Sequence, residues 1–260
     1  MSYLNEFDAW KIASLLMLTI FALTYFGYKA GNLKLKKLKV KTLKESSSSF
    51  SSLSGLLFLL LAFTFGMSVS RYDSRRQVIV EESNAISTAF LRADLYTEKE
   101  RVLFKKDFKL YIESRINYYK AGKDQDKIKL SNSVTQSIST RLWQRASKLS
   151  FDHTNTDATR LMIPALNEMI DITTTRAAGE KAKVPDSIIW LLFVLACFTS
   201  FYSGYSAALK GSIDWLVEFG FCMMISVTVL FIFDLDRPFR GLVTLDESNK
   251  NIIELSNNFN

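Results

Sequence analysis

The hydrophobic residues of this chain are concentrated in four blocks, separated by segments in which charged and polar residues are frequent. The blocks cover residues 12–28, 53–69, 188–208 and 215–233. Each is close to the roughly 20 residues that an α-helix needs to cross about 30 Å of hydrocarbon. The pattern therefore predicts a multi-pass membrane protein with four transmembrane helices.

The first block could in principle be a signal peptide instead of a retained helix. The residues before it include Glu6 and Asp8 rather than a basic stretch, and no small-residue cleavage site precedes the lysines that follow it. We therefore expect the block to stay in the protein as the first transmembrane helix.

The long segment 71–184, between the second and third blocks, shows the helical period and no sustained alternation of the strand type. Three runs place apolar side chains on one face: Phe104, Phe108, Tyr111, Ile112, Arg115 and Tyr119; Val134, Ile138, Leu142, Ala146 and Leu149; and Met162, Leu166, Met169, Ile170, Thr173 and Ala177. Such stripes could bind a partner helix or a lipid surface, but they are more often the core of a small bundle.

These patterns together predict an all-α fold. Four transmembrane helices carry an extramembrane helical bundle between the second and the third, and the helix that begins at Arg71 continues the second transmembrane helix because no Gly or Pro interrupts it. We expect residues 1–260 to form a single membrane-integrated unit that ends in a tail, residues 234–260.

Charge gives the expected orientation. The loop between the first two blocks contains seven lysines, Lys29, Lys34, Lys36, Lys37, Lys39, Lys41 and Lys44, and no acid before Glu45. The positive-inside rule predicts that this lysine loop is cytoplasmic, which places segment 71–184 and the tail outside. The same lysines could also hold anionic lipid head groups, although a topology signal alone explains them.

Little in the chain points to catalysis. His153 is the only histidine, no second His or Cys lies near it in sequence, and no GxSxG, HExxH or P-loop motif occurs. The net charge of +7 is explained by the lysine loop and a dispersed excess, without a basic stripe interleaved with aromatic residues. We expect no enzymatic activity, no cofactor, no metal and no nucleic-acid partner.

Two features stand out within the membrane blocks. Ala196, Ser200, Gly204 and Ala208 form a ridge of small residues that lets another helix approach closely, either within one subunit or between subunits of a homo-oligomer. Glu218 is an intramembrane acid and hence a candidate proton or cation site. It also lies one turn into its helix, where the macrodipole favours an acid, and this structural interpretation is the stronger one.

Charged residues gather where the second and fourth blocks end. Because these two helices run in the same direction, "RYDSRR" and "FDLDRPFRG" should emerge on the same membrane face. The set comprises Arg71, Asp73, Arg75, Arg76, Glu81, Glu82, Asp234, Asp236, Arg237 and Arg240. Its balance of five cations and five anions favours a salt-bridge network that joins helix ends. A role along an ion or solute path, or in ligand sensing, remains open.

The stretches "FTFGMSVSRYDSRRQVIVEESNAISTAFLRADL", "LNEMIDITTTRAAG" and "FDLDRPFRGLV" resemble the bestrophin-like domain family, mostly uncharacterised membrane proteins of bacteria. The resemblance runs from about residue 53 to residue 243. It implies a multi-pass helical protein of the bacterial inner membrane, distantly analogous to bestrophins, which are pentameric, calcium-gated anion channels. The chain has no compact run of acids that resembles a bestrophin calcium clasp. The expected function is an oligomeric ion channel, with a structural or sensing membrane protein as the alternative.

Overall fold

The computed structural model describes residues 7–42, 48–237 and 241–258, and within these ranges all regular structure is helical. The helices are α1 (Ala9–Leu38), α2 (Ser48–Arg92), α3 (Glu98–Lys120), α4 (Gln125–Leu149), α5 (Thr156–Lys181), α6 (Asp186–Lys210), α7 (Trp215–Leu235) and α8 (Asp246–Asn258). A 3-10 turn, Ala93–Leu95, follows α2. Lys44 of the lysine loop and Arg240 of the charged set lie outside the described residues.

The predicted fold class is confirmed. Four helical segments are long and apolar enough to cross a membrane: Ala9–Leu38, Phe50–Leu95, Thr156–Lys210 and Trp215–Leu235. The apolar part of the second is the first half of α2, and that of the third is α6. Because α2 has 45 residues, it is about 68 Å long, roughly twice the thickness of the hydrocarbon. Its second half therefore extends beyond the membrane.

The chain divides into two compact units. The first, here called the membrane unit, comprises Met1–Tyr72 and Lys183–Val243. The second, here called the bundle unit, comprises Asp73–Ala182 and Thr244–Asn260. The C-terminal tail is thus shared between the units, and its last part forms α8, a helix that sequence analysis did not predict.

In the membrane unit α1 is the central helix, and it packs against both α6 and α7. Its contact with α6 depends on glycine. A Cβ on Gly204 would stand 1.9 Å from the carbonyl oxygen of Thr24, and one on Gly27 would stand 1.9 Å from that of Phe201. Because lipid tails are as apolar as the side chains, helices in a membrane gain from such close backbone packing.

The ridge of small residues on α6 therefore has its partner in the same chain. Ala196, Ser200, Gly204 and Ala208 are all buried, and Gly31 of α1 meets Ala208. The interpretation that the ridge joins subunits is corrected accordingly. The sequence carries a matching signal on α1, where Gly27 and Gly31 are four residues apart.

In the bundle unit all three apolar runs are buried in part, and their more exposed residues lie toward one or both ends. Phe104, Phe108, Tyr111, Leu142 and Met162 are fully buried, as is Arg115. Val134, at the start of the second run, is instead 41% exposed. α8 packs against α3, and Asn249 and Ile252 of this helix are buried, as is Leu245 just before it.

The glycine contact between α1 and α6 gives a direct test. We expect Gly204→Ala to lower the thermal unfolding midpoint of the detergent-purified protein, because its Cβ forces the two backbones apart at a cost of about 1–3 kcal/mol. Gly220→Ala is the matched control, since nothing lies within 4 Å of a Cβ at Gly220. It should be neutral or stabilising, because alanine favours helix. Equal effects of the two substitutions would contradict the packing role.

Candidate functional site

The charged residues predicted at the helix ends divide between the two units. Arg71, Asp234, Asp236 and Arg237 belong to the membrane unit, whereas Asp73, Arg75, Arg76, Glu81 and Glu82 belong to the bundle unit. Each group is therefore described within its own unit.

In the membrane unit, Asp236 at the end of α7 holds two other segments. Its Oδ2 accepts a hydrogen bond from the Val184 N–H at 2.6 Å, just before α6, and its Oδ1 lies 3.5 Å from Nη1 of Arg71 on α2. The Arg71 pair is too long for a good hydrogen bond, so its attraction is mainly Coulombic. The structure thus brings Arg71 and Asp236 together and connects the middle of α2 with the start of α6 and the end of α7.

Asp234, in the last turn of α7, and Arg237, just after the helix, also bind backbone groups. The carboxylate of Asp234 accepts hydrogen bonds from the backbone N–H groups of Leu242 and Val243 at 2.9–3.0 Å. Gly241 is required beside it, because φ is 113° there and a Cβ would lie 1.8 Å from Asp234 Oδ1. Arg237 donates to the carbonyl oxygen of Phe7. These charges hold backbone in place.

Arg75 has a similar role in the bundle unit. It is 4% exposed, and its guanidinium donates to the carbonyl oxygens of Gly179 at 2.9 Å and Ala182 at 2.5 Å. These carbonyls lie at the C-terminal end of α5, where unsatisfied oxygens and the negative end of the helix dipole favour a cation. Arg75 therefore joins α2 to the end of α5.

The other predicted charges of this unit have different environments. Asp73, Arg76 and Glu81 are exposed, and Glu81 accepts a hydrogen bond from Gln77 at 2.8 Å. Glu82, the next residue along α2, is fully buried. Adjacent glutamates on one helix thus occupy opposite environments.

Glu82 is the centre of a buried cluster of charges. One carboxylate oxygen accepts a hydrogen bond from Nε of Arg115 on α3, and the other accepts from Nη1 of Arg176 on α5 at 2.6 Å. Both arginines are at most 3% exposed. Three helices therefore meet at one carboxylate.

The arginines have further partners. Nε of Arg176 binds Glu180 at 3.1 Å, and the Tyr118 hydroxyl donates to the same carboxylate. The guanidiniums of Arg115 and Arg176 lie 4.6 and 5.4 Å from the centre of the Tyr118 ring. Nη2 of Arg176 also donates to the side-chain oxygen of Asn249 at 2.9 Å, which adds α8 to the cluster.

The cluster is electrically balanced, with two arginines and two glutamates. Burial by itself raises the pKa of Glu82, but Arg115 and Arg176 outweigh it and hold the pKa below its usual range. Burial, together with the charge of Glu180, raises the pKa of the Tyr118 hydroxyl. The phenol therefore stays a hydrogen-bond donor at physiological pH.

The sequence patterns do not predict that Glu82, Arg115 and Arg176 meet, although a signal for the two arginines exists. Arg176 follows Met169 by seven residues, and Arg115 follows Tyr111 by four, so both lie at core positions of their helices. Charges at core positions are rare and are normally paired.

Glu218 lies in the first turn of α7, where Asp214 caps the helix through the N–H groups of Leu216 and Val217. The Ser203 hydroxyl of α6 donates to its Oε1 at 2.6 Å. Its Oε2 is buried and has no hydrogen-bond partner within the described part of the chain. The contact joins α6 to α7, in agreement with a structural role, and the proton or cation role of Glu218 remains a hypothesis.

The membrane-crossing half of α2 has two faces that differ in exposure. Leu57, Leu61, Thr64 and Ser68 point inward and are buried. The opposite side is exposed and carries small residues and one leucine: Gly55, Leu59, Ala62, Gly66 and Ser70. Among the described residues, nothing lies within 4 Å of a Cβ on Gly55 or Gly66. This side is called the open face of α2.

The adjacent glutamates provide a matched pair for testing the cluster. We expect Glu82→Gln to lower the free energy of unfolding by about 3–5 kcal/mol, because it leaves two buried arginines without their shared carboxylate. Glu81→Gln, on the exposed side, should change it by no more than about 0.5 kcal/mol. Denaturant titration of the detergent-purified protein measures both.

The same variant predicts a pH dependence. Because the folded pKa of Glu82 is lowered, its stabilisation is complete above the unfolded value of about 4.3 and is lost as the pH falls through the folded pKa. The difference in stability between the native protein and Glu82→Gln should therefore shrink in acid. A constant difference between pH 7 and pH 3 would contradict the ion-pair description.

Comparison with known proteins identifies the fold. A model of the Bestrophin-like domain family matches residues 39–249. None of the curated proteins matches the sequence. Crystal structures of a bacterial bestrophin homologue from Klebsiella pneumoniae, in two single-substitution variants, are similar. One has a TM-score of 0.67 at 12% identity over 95% of this chain and 98% of the homologue. The other has a TM-score of 0.66 at 13% identity over 94% and 98%.

A third crystal structure, of a membrane protein, has a TM-score of 0.69 at 12% identity and covers 94% of this chain and 96% of its own. Identities this low show a shared fold and no more.

Proposed function

The chain belongs to the bestrophin-like domain family, and from this premise we propose that it is the subunit of a homo-oligomeric ion channel. The observation that carries the proposal is the open face of α2. A helix side that meets lipid is normally covered by bulky apolar residues, whereas a water-filled path requires small or polar ones. Gly55, Ala62, Gly66 and Ser70 fit the second description.

An oligomer is needed because one such face cannot enclose a path by itself. Copies of α2 arranged around a symmetry axis would direct their open faces toward one another and form a closed ring. The ridge on α6 does not contribute to this assembly, since α1 already covers it. The subunit contacts of the proposed channel are therefore made by other surfaces.

The exposed charges, not the buried ones, are the candidates for acting on ions. Arg75, Glu82, Asp234 and Asp236 are occupied by contacts inside the chain. Asp73 is exposed and follows Gly66 by seven residues, two turns further along α2, so it continues the open face. A charge at the mouth of a path changes the local concentration of ions of each sign.

The alternative function is a structural or sensing membrane protein without transport. The observation in its favour is that most of the charged helix ends form hydrogen bonds or ion pairs within their own units, as a network that only fastens helices would do. If this alternative is correct, the purified oligomer conducts no ions.

Ion flux from liposomes separates the two. We expect the protein to conduct, and Asp73→Lys to raise the chloride-to-potassium permeability ratio, because it replaces a negative charge on the proposed path with a positive one. The control is Asp126→Lys on α4, which makes the same charge change at a side chain that is 97% exposed. It should leave the ratio unchanged.

Two outcomes would count against the channel. A folded oligomer without flux of either ion favours the structural or sensing function. If the native protein and Asp73→Lys conduct with the same chloride-to-potassium permeability ratio, the protein is a channel, but its path does not pass this part of α2.

We propose a plasma-membrane location with the lysine loop in the cytoplasm. In the structure α1 extends to Leu38, so the lysines up to Lys37 lie on this helix instead of in a loop. Lys34 donates to the Tyr205 hydroxyl at 2.7 Å, whereas Lys36, Lys37, Lys39 and Lys41 are exposed and available to anionic lipid head groups. The loop's charge thus supports both the orientation and a contact with the inner leaflet.

Cysteine labelling tests the orientation. His153→Cys should react with a membrane-impermeant maleimide in intact cells, because the positive-inside rule places the bundle unit outside. Lys36→Cys should react only after permeabilisation. The reversed pattern would place the bundle unit in the cytoplasm and the lysine loop outside. Cys197 and Cys222 lie in membrane helices and are replaced by serine in both variants.

A further inference from the structure

The outer surface of the membrane unit contains an apolar groove between the first halves of α1 and α6, with a volume of about 710 Å³. Ile12 and Leu16 are buried and form its floor. Leu15, Val194 and Phe198 form its walls and are more than half exposed. The volume is typical of a site for one small molecule, for which about 300–1,000 Å³ is usual.

The packing of α1 and α6 explains why the groove exists where it does. The two helices run parallel, as Thr24 meets Gly204 and Gly31 meets Ala208. At Gly204 their backbones touch, which closes the groove at that level. Toward the N-terminal ends larger side chains such as Leu16 and Phe193 take the place of glycine and hold the helices apart.

The interior of the groove presents almost no polar group. The Thr19 hydroxyl, which lies along it, donates to the carbonyl oxygen of Leu15 at 2.8 Å and so contributes only its methyl group. Cys197 contributes a half-buried thiol, which behaves as a small apolar group. A hydrocarbon chain therefore fits this surface, and water does not.

The end of the groove away from the glycine contact has a different chemistry. Lys11 is the only charged residue among the described residues that line it. Its ammonium pairs with Asp8 at 3.1 Å, but both side chains are about half exposed, so the pair is open to exchange with another anion. Trp10 and Trp190, which flank this end, are also exposed. Exposed tryptophans are typical of the level of the lipid head groups.

The length of the groove favours a lipid chain over a transmembrane helix as its occupant. From Lys11 to Leu23 the helix rises about 18 Å, close to half of the roughly 30 Å of hydrocarbon. The groove thus spans about one leaflet, from a charged end to a closed end. A transmembrane helix of a second subunit would need a surface across both leaflets, whereas a lipid chain needs only one.

We propose that the groove binds one phospholipid. An acyl chain lies between α1 and α6 down to the level of Gly204, and the phosphate lies beside the Lys11 ammonium, with Trp10 and Trp190 at the glycerol level. The bound lipid covers apolar surface that the tight glycine contact leaves open above it, and it remains with the protein when the surrounding bilayer is removed.

The test is the phospholipid retained per chain after purification in mild detergent, measured by mass spectrometry of the extracted lipid. Val194→Trp fills the groove, and Val217→Trp on α7 is its control, since both valines are 64% exposed on membrane helices. We expect one phospholipid per chain in the native protein and in Val217→Trp, and loss of it in Val194→Trp. Lys11→Gln should make its retention weaker at the same detergent concentration.

A second measurement tests the same proposal in the native protein, without a substitution that fills the groove. Cys197 lies in the groove, whereas Cys222 is fully buried. In the native protein, removing phospholipid with a harsher detergent should accelerate maleimide labelling of Cys197 and leave Cys222 unreactive, and adding phospholipid back should slow it again.

The proposal is overturned if the native protein retains no phospholipid, or if Val194→Trp retains as much as Val217→Trp. It is also overturned if Val194→Trp shifts the oligomer to smaller species with its lipid content unchanged, since a second copy of the chain would then occupy the groove. The proposal is overturned as well if the rate of Cys197 labelling does not change when phospholipid is removed or added back.

Discussion

The bundle unit depends on the carboxylate of Glu82 and the two arginines that share it. α2, α3 and α5 each contribute one charge, and α8 joins through Asn249. Apolar stripes alone leave packed helices some freedom to slide or rotate, because one methyl group replaces another at little cost. A buried carboxylate allows no such freedom, since any displacement leaves a charge without a partner at low dielectric. We infer that the cluster determines the register of these four helices, while the surrounding aromatic core supplies most of the favourable free energy.

In the membrane unit the helices are positioned by close backbone packing instead of by buried charges. Its central contact, between α1 and α6, is made by omitting side chains at Gly27 and Gly204, so that backbone meets backbone. At the end of α7 and just beyond it, the charges of Asp234, Asp236 and Arg237 bind backbone N–H groups and carbonyl oxygens that the helices do not satisfy themselves. α2 is the element common to both schemes. Its first half packs through apolar and small residues, and its second half carries Arg75 and Glu82.

This distribution of charge bears on function. Residues that look equivalent in the sequence divide into those that are bound within the chain and those that face outward, and only the latter can act on an ion. Two exposed surfaces, the open face of α2 and the groove beside α1, differ in chemistry. The first is small and, toward its end, polar, as a path for ions requires. The second is apolar with one cation at its end, as a phospholipid requires.

The sequence by itself determined the class of the protein. Four apolar blocks and the helical period of 71–184 were sufficient for an all-α membrane protein with an inserted bundle, because burial in lipid or in a core constrains every residue of a helix face in the same way. The motifs around Arg71 and Asp234 were sufficient for the family. Only the tertiary structure decided which charges meet. Glu81 and Glu82 are neighbours with the same side chain, and the partners of Glu82 lie 33 and 94 residues away on other helices. Likewise, the sequence is compatible with a contact of Gly204 either to α1 or to another subunit, and only the packing of α1 against α6 shows that its partner is α1.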